Sequence, residues 1–148
     1  LVQIFHGGMR APQSINGVQP VSASVNTEAG LDGSTRALSS LVVADRVEAF
    51  ADAAVRCEQA GFGGVELHGA HSYLICQFLG TETNRRQDEW GGPYEARRRF
   101  LWAIIEAVRA RPPPNFLVFV RISPLIEKMG IHLEESLQLA QDLSLIHI

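Results

Sequence analysis

Ala60-Gly-Phe-Gly-Gly-Val-Glu-Leu-His-Gly-Ala-His-Ser-Tyr-Leu74 starts at the end of a helical pattern, passes through a short apolar strand and stops in a polar turn. Before it, Val47, Phe50, Ala51, Ala54 and Cys57 fall at helical spacing, and Gly61 follows as a stop signal. Gly64-Val-Glu-Leu-His68 then reads as a buried strand. After it, a long polar connection reaches Gly91-Gly92. Pro93 and Glu95 next open a helix whose Phe100, Leu101, Ile104, Ile105 and Val108 share one face, until Pro112-Pro-Pro114 ends it.

The same alternation extends to both sides. Phe116-Leu-Val-Phe-Val-Arg-Ile122 is the clearest strand, and Leu133 to Leu143 begins another helix. Upstream, Val2-Gln-Ile-Phe5 reads as a short strand, followed by a loop of about forty residues rich in Gly, Ser, Pro and Asn, a length usually kept for function. Strand, helix, strand, helix, strand, helix implies parallel strands with right-handed crossovers, because each helix must bury its apolar face on the sheet. The fold class is α/β, either a doubly wound sheet or a (β/α)8 barrel. The barrel needs roughly 250 residues to close. The chain opens on an apolar run without an initiator Met, and residues 143–148 read as a truncated or foreign tail to a single domain over residues 1–142.

Among 148 residues, 46% are hydrophobic and 20% charged, the composition of a folded globular protein. A net charge of −3 supplies no field for polyphosphate, so neither nucleic acid nor an anionic membrane is the expected partner. A small-molecule substrate is. Cys57 and Cys76 form no CxxC pair, and neither a secretory leader nor a membrane-length apolar run is present, which points to a cytoplasmic setting.

In a parallel α/β fold, reactive groups gather at the carboxyl ends of strands. Here those ends carry Gln3 with His6-Gly-Gly-Met-Arg10, then His68-Gly-Ala-His71-Ser-Tyr73, then Arg121 beside Ser123-Pro124. Residues two apart on a strand share a face, so Gln3 goes with Phe5, Glu66 with His68, and Leu117 and Phe119 with Arg121. An inward set of Gln3, Glu66, His68 and Arg121 is costly without a ligand or mutual hydrogen bonds.

Several chemistries fit these residue types. His68 and His71, with Glu66 or His6, could ligate a metal for a lyase or hydrolase, although no second ligand-spaced cluster accompanies them. Tyr73 beside them favours another use, in which two neutral imidazoles donate to a carbonyl oxygen and a phenol supplies a proton. Arg121 faces either Glu66 or an anionic ligand. Gly7-Gly8 and Gly91-Gly92 read as turns, and neither makes a dinucleotide fingerprint. Arg97-Arg-Arg99 reads as a solvated or salt-bridged helix face, Trp90 and Trp102 as packing residues, and Cys76 as a small buried hydrophobe.

Taken together, Ala60 to Leu74, Gln77-Phe-Leu79, Asn84, Arg86, Asp88-Glu-Trp-Gly-Gly92, Glu95, Arg97 and Arg99-Phe100 resemble the signature region of old yellow enzyme-type NADH:flavin oxidoreductases. Gln3-Ile-Phe-His-Gly-Gly-Met-Arg10 is similar to that family's third barrel strand, and Val120-Arg-Ile-Ser-Pro124 to its fifth. The resemblance implies part of an FMN-binding (β/α)8 (TIM) barrel, about three β/α units, in a parent for which homo-oligomerisation is left open. It implies that Gln3 and Arg121 bind the flavin, that His68 and His71 bind and polarise the substrate, and that Tyr73 donates the proton. NADH or NADPH is the implied hydride donor and an activated alkene the implied acceptor. Gly80-Thr81 and Ala96 depart from the family's Ser-Pro and Asn, which puts local loop shape in question. The strands and loops for the flavin's other face and phosphate are expected outside this stretch, so the chain alone is expected to be a non-catalytic remnant.

Overall fold

In a computed structural model that describes residues 1–27 and 33–148, the chain adopts the expected α/β class. The strands are β1 (Val2–Ile4), β2 (Val21–Ser22), β3 (Arg36–Ala37), β4 (Gly64–Gly69) and β5 (Leu117–Ile122). The helices are α1 (Gln13–Asn16), α2 (Ser40–Gln59), α3 (Leu74–Leu79), α4 (Tyr94–Arg97), α5 (Arg99–Arg109) and α6 (Leu133–Leu145). β1, β4 and β5 form one parallel sheet in that order, with Gln3 level with Glu66, and His68 level with Arg121.

The helices cover one face of this sheet. Ile4, Val65 and Leu67 are buried beneath them, whereas β5 alternates between exposed Leu117, Phe119 and Arg121 and half-buried Val118, Val120 and Ile122. Strand parity therefore sorts the residues as the sequence indicates, and the Gln3, Glu66 and Arg121 side is the open one. Phe100 is the centre of the covered side. Its ring lies 4.4 Å from that of Phe78 on α3 and 6.5 Å from that of Phe50 on α2, so three helices meet around one side chain. Burying a ring of this size stabilises by about 1.5–3 kcal/mol.

Three helical assignments differ from the sequence reading: α2, α3, and the helix opened by Pro93 and Glu95, which is broken at Arg98 into α4 and α5. α2 begins at Ser40, seven residues before the first clear apolar repeat, because the Ser39 hydroxyl caps it by accepting from Val42 N. α3 lies inside what reads as a polar connection. Its Leu-Ile-Cys-Gln-Phe-Leu sequence is buried on nearly all sides, so no polar face marks a helical period. α6 runs two residues past Leu143, which is itself buried, and Ile146 and Ile148 pack on the same core.

The long loop after β1 is not structureless either. It contains a turn of 3-10 helix at Gly8–Arg10, the short α1 and the β2–β3 ladder, while its residues 28–32 lie outside the described part. Residues of the second connection hold it in place. Arg86 donates to the carbonyls of Ala23 and Leu38 and pairs with Asp88, which also accepts from the Ser40 hydroxyl at 2.9 Å. Asn26 donates to Thr83 O at 2.8 Å. Asn84 ties the connection to itself through Phe78 O and Trp90 O. Of the solvated or salt-bridged face expected of Arg97-Arg-Arg99, the structure takes the salt-bridged form, with Arg98 paired to Asp142 and Arg99 to Glu89, and only the burial of Arg97 goes beyond it. Arg97 donates to the carbonyls of Gly92 and Leu79, and pairs with Glu135.

Candidate active site

β4 presents His68 at its carboxyl end, and the chain then makes a tight turn before α3. His71 and Ser72 both take left-handed backbone conformations, with φ of 54° and 63°. Such conformations cost roughly 1–3 kcal/mol each for non-glycine residues and persist only where neighbours fix them. Here the neighbours are explicit. His71 N donates to Ser123 Oγ at 3.1 Å, Leu74 N to His6 O at 3.0 Å, and the Gln77 amide to Ser72 O at 2.6 Å.

The turn gathers three rings. The His68 centroid lies 5.0 Å from that of His71 and 4.8 Å from that of Tyr73, both edge-on. Phe5, at the end of β1, approaches Tyr73 at 5.0 Å and His68 at 6.4 Å. His68 is buried, Tyr73 half-buried and His71 exposed, so a small molecule can reach the cluster. Burial holds the His68 pKa below its ordinary 6.5, helped by His71 and Arg121 and opposed by Glu66. His68 Nδ1 accepts from Ala70 N at 3.3 Å, which puts the proton of the neutral ring on Nε2. His6 repeats the pattern. Its Nδ1 accepts from Gly8 N at 3.0 Å, and burial, then Arg46, lower its pKa.

On the same sheet face, Glu66 sits between Gln3 and Arg121. The Gln3 amide donates to Glu66 Oε1, and Arg121 Nε lies 3.4 Å from that same oxygen. Arg121 thus pairs with Glu66 while its side chain stays half-exposed. All five of the predicted flavin- and substrate-binding residues, Gln3, His68, His71, Tyr73 and Arg121, come together across adjacent strand ends. The metal alternative lacks such support: among the described residues, no three His, Cys, Asp or Glu side chains are grouped to hold an ion. Cys76 lies fully buried beside Met9, Met129 and Ile131, and burial pushes its thiol up to about 11. No helix among the described residues is long and apolar enough to cross a membrane.

Two supporting residues are not evident from sequence reasoning. Gln77 is fully buried, and it both donates to Ser72 O and accepts from Met9 N at 3.2 Å, tying the β4 turn to the β1 turn. A polar residue within an apolar run was the available signal. Gly8, at φ 58°, leaves the space Gln77 fills, since a Cβ there would lie 2.5 Å from the amide. A concavity of about 520 Å³ lies elsewhere, between the start of β5 and Pro112–Pro114. Three strands offer the ring cluster an open face rather than an enclosed pocket.

Comparison with known proteins bears on the family and the fold. A profile of the NADH:flavin oxidoreductase / NADH oxidase family matches residues 1–146. The chain is 39% identical to an NADH:fumarate oxidoreductase of Klebsiella pneumoniae (strain 342), over 97% of this chain and 16% of that protein. It is also 39% identical to an NADH oxidase of Thermoanaerobacter brockii, over 95% of this chain and 22% of that one. Among solved structures, the old yellow enzyme homologue from Zymomonas mobilis matches with a TM-score of 0.83 and 33% identity, over 96% of this chain and 44% of the other. Morphinone reductase in complex with tetrahydroNAD matches with a TM-score of 0.83 and 32% identity, covering 95% and 43%. The chain therefore spans less than half of the relatives it matches. By the extent of the profile match, it belongs to the NADH:flavin oxidoreductase / NADH oxidase family.

Proposed function

We propose that the chain supplies about the third to fifth strands of an FMN-binding (β/α)8 barrel, in an enzyme that passes hydride from NADH or NADPH to an activated alkene such as an enone. FMN and a nicotinamide are the cofactors of the family to which the chain belongs. The observation that carries this reading is the contact of His68, His71 and Tyr73 at a strand end, on the face that also presents Gln3 and Arg121.

The residues present fit a flavin. Gln3 and Arg121 are exposed on the open face, where Arg121 meets Glu66 through Nε. An amide and a guanidinium suit a pyrimidine edge that offers both donors and acceptors, and the fixed positive charge favours the negative reduced state. When bound, FMN supplies the hydride carrier between nicotinamide and alkene.

The remaining steps belong to the chain. His68 Nε2–H donates to the substrate carbonyl oxygen, with His71 as second donor, so that negative charge developing on that oxygen is stabilised. Tyr73 Oη delivers a proton to the α-carbon. Phe5 packs on Tyr73 and limits its movement.

With the barrel complete, the protein is expected to purify yellow, to bleach anaerobically with NADH or NADPH, and to regain colour on addition of an enone. A colourless, zinc-containing protein overturns the flavin reading; reoxidation by dioxygen but not by any activated alkene overturns the substrate class. For the 148-residue chain alone we propose poor solubility and no turnover, because Phe5, Leu117 and Phe119 leave an apolar sheet face uncovered.

A further inference from the structure

A single carboxylate oxygen joins the two outer strands across the central one. Glu66 on β4 accepts the Gln3 amide of β1 on Oε1, and the same oxygen lies 3.4 Å from Nε of Arg121 on β5. The pairing has consequences for both partners. Because Gln3 Nε2 is directed at Glu66, its carbonyl oxygen is turned away as a free acceptor, and the two orientations of the amide are no longer equivalent. Arg121 meets the same oxygen as an ion pair through Nε, so the attraction acts on the inner edge of the guanidinium and biases its other edge toward the open face.

Charge is the second consequence. Arg121 would otherwise place an uncompensated positive charge on a sheet face it shares with His68. Glu66, 31% exposed in its side chain, cancels that charge at close range, in a setting where solvent screens it only in part.

We propose that Glu66 is a positioning residue for the flavin-facing surface: it fixes the Gln3 amide and the Arg121 guanidinium in complementary acceptor and donor orientations, and it offsets the Arg121 charge that acts on the reduced cofactor. The proposal rests on the flavin reading above. Glu66 touches neither substrate nor cofactor in it, and acts through its two partners.

The test uses the protein with its barrel complete and FMN bound. Glu66→Gln keeps an oxygen that can accept a hydrogen bond but removes the negative charge. The net field at the flavin becomes more positive, so reduced flavin gains over oxidised flavin by about tenfold, equivalent to a rise in midpoint potential of about 30 mV for a two-electron couple. Glu66→Leu removes the Gln3 hydrogen bond as well. Apoprotein titrated with FMN should bind about tenfold more weakly, and adding Gln3→Ala to Glu66→Leu should cost less than Gln3→Ala costs in the wild type. A yellow Glu66→Gln protein with an unchanged or lowered potential overturns this inference alone, as do additive effects of Glu66→Leu and Gln3→Ala. A wild-type protein that binds no flavin overturns the functional reading and this inference together.

Discussion

The Gln77 amide donates to the Ser72 carbonyl at 2.6 Å from a fully buried position on α3. Ser72 is the second of two consecutive residues with left-handed backbone, so this bond fixes the turn that holds His71 and Tyr73 around His68. Replacing Gln77 by Leu leaves Ser72 O and Met9 N without their partner inside the protein. We expect a loss of about 2–4 kcal/mol, seen as a lowered denaturation midpoint. Gly8→Ala should give a similar loss by a different route, since its Cβ would meet the same amide at 2.5 Å. Wild-type stability in both variants removes Gln77 as the staple of the site.

In the proposed mechanism the roles of the three rings separate by half-reaction. In the complete enzyme, Tyr73→Phe should leave flavin reduction by the nicotinamide unchanged while slowing alkene reduction by about 10²–10⁴-fold, the usual worth of a positioned proton donor. His68→Ala should mainly weaken binding of phenolic ligands. Stopped-flow measurement of each half-reaction decides this, and equal losses in both would contradict the assignment.

His6 and His68 both accept a backbone N–H on Nδ1 and both have lowered pKa values, so the folded state favours their neutral forms. Above the ordinary value of about 6.5, folded and unfolded states are both neutral and the contribution is complete. As pH falls from there through the lowered values, the unfolded chain takes up protons first and stability is lost. Denaturant midpoints should therefore decline below pH 6.5, and less so in His6→Gln. Because Glu66 raises the His68 pKa, Glu66→Gln should move the His68 titration to still lower pH, as read by imidazole resonances.

Asp88 defines a second, more acidic limb. Its hydrogen bond from Arg86, with those from Ser40 and Trp90 N, brings its pKa from 3.8 down to about 2 against the opposing effect of burial. The stabilisation is complete above pH 3.8 and disappears as pH falls toward 2. Asp88→Asn should cost about 1 kcal/mol at neutral pH, a modest figure because the carboxylate is partly exposed, and should flatten the acid limb. An unaltered limb would mean that the pair does not hold the loop after β1.

Phe100→Ala tests the covered side. It removes the ring shared by Phe50 and Phe78 and should destabilise by about 3–5 kcal/mol. The spectrum of any flavin bound by the folded fraction should be unchanged, since Phe100 lies on the face of the sheet away from Gln3 and Arg121.

Some of this was legible in the sequence for geometric reasons. A strand repeats every two residues whatever surrounds it, so Gln3, Glu66 and Arg121 could be assigned to one face before any contact was known. α5 was equally legible, because five apolar residues at helical spacing mark one buried stripe. α3 was not, since a helix buried on nearly all sides carries no contrast between faces. The start of α2 rested on a single capping hydroxyl at Ser39, a weak mark within a Ser-rich stretch.

The sequence by itself determined the α/β order, the open and covered sheet faces and, through its signature stretch, the family, and it named the five residues proposed for the site. Only the tertiary structure decided the partners of the charged and polar groups. It buried Arg97 against Gly92 O, Leu79 O and Glu135, where a run of three arginines reads only as a solvated or salt-bridged face. It placed Gln3 and Arg121 on one oxygen of Glu66, and Gln77 between the turns that follow β1 and β4. The physical reason is one of range. Periodicity is written into neighbouring residues by backbone geometry, whereas a hydrogen bond between residues some sixty positions apart depends on which strands lie side by side.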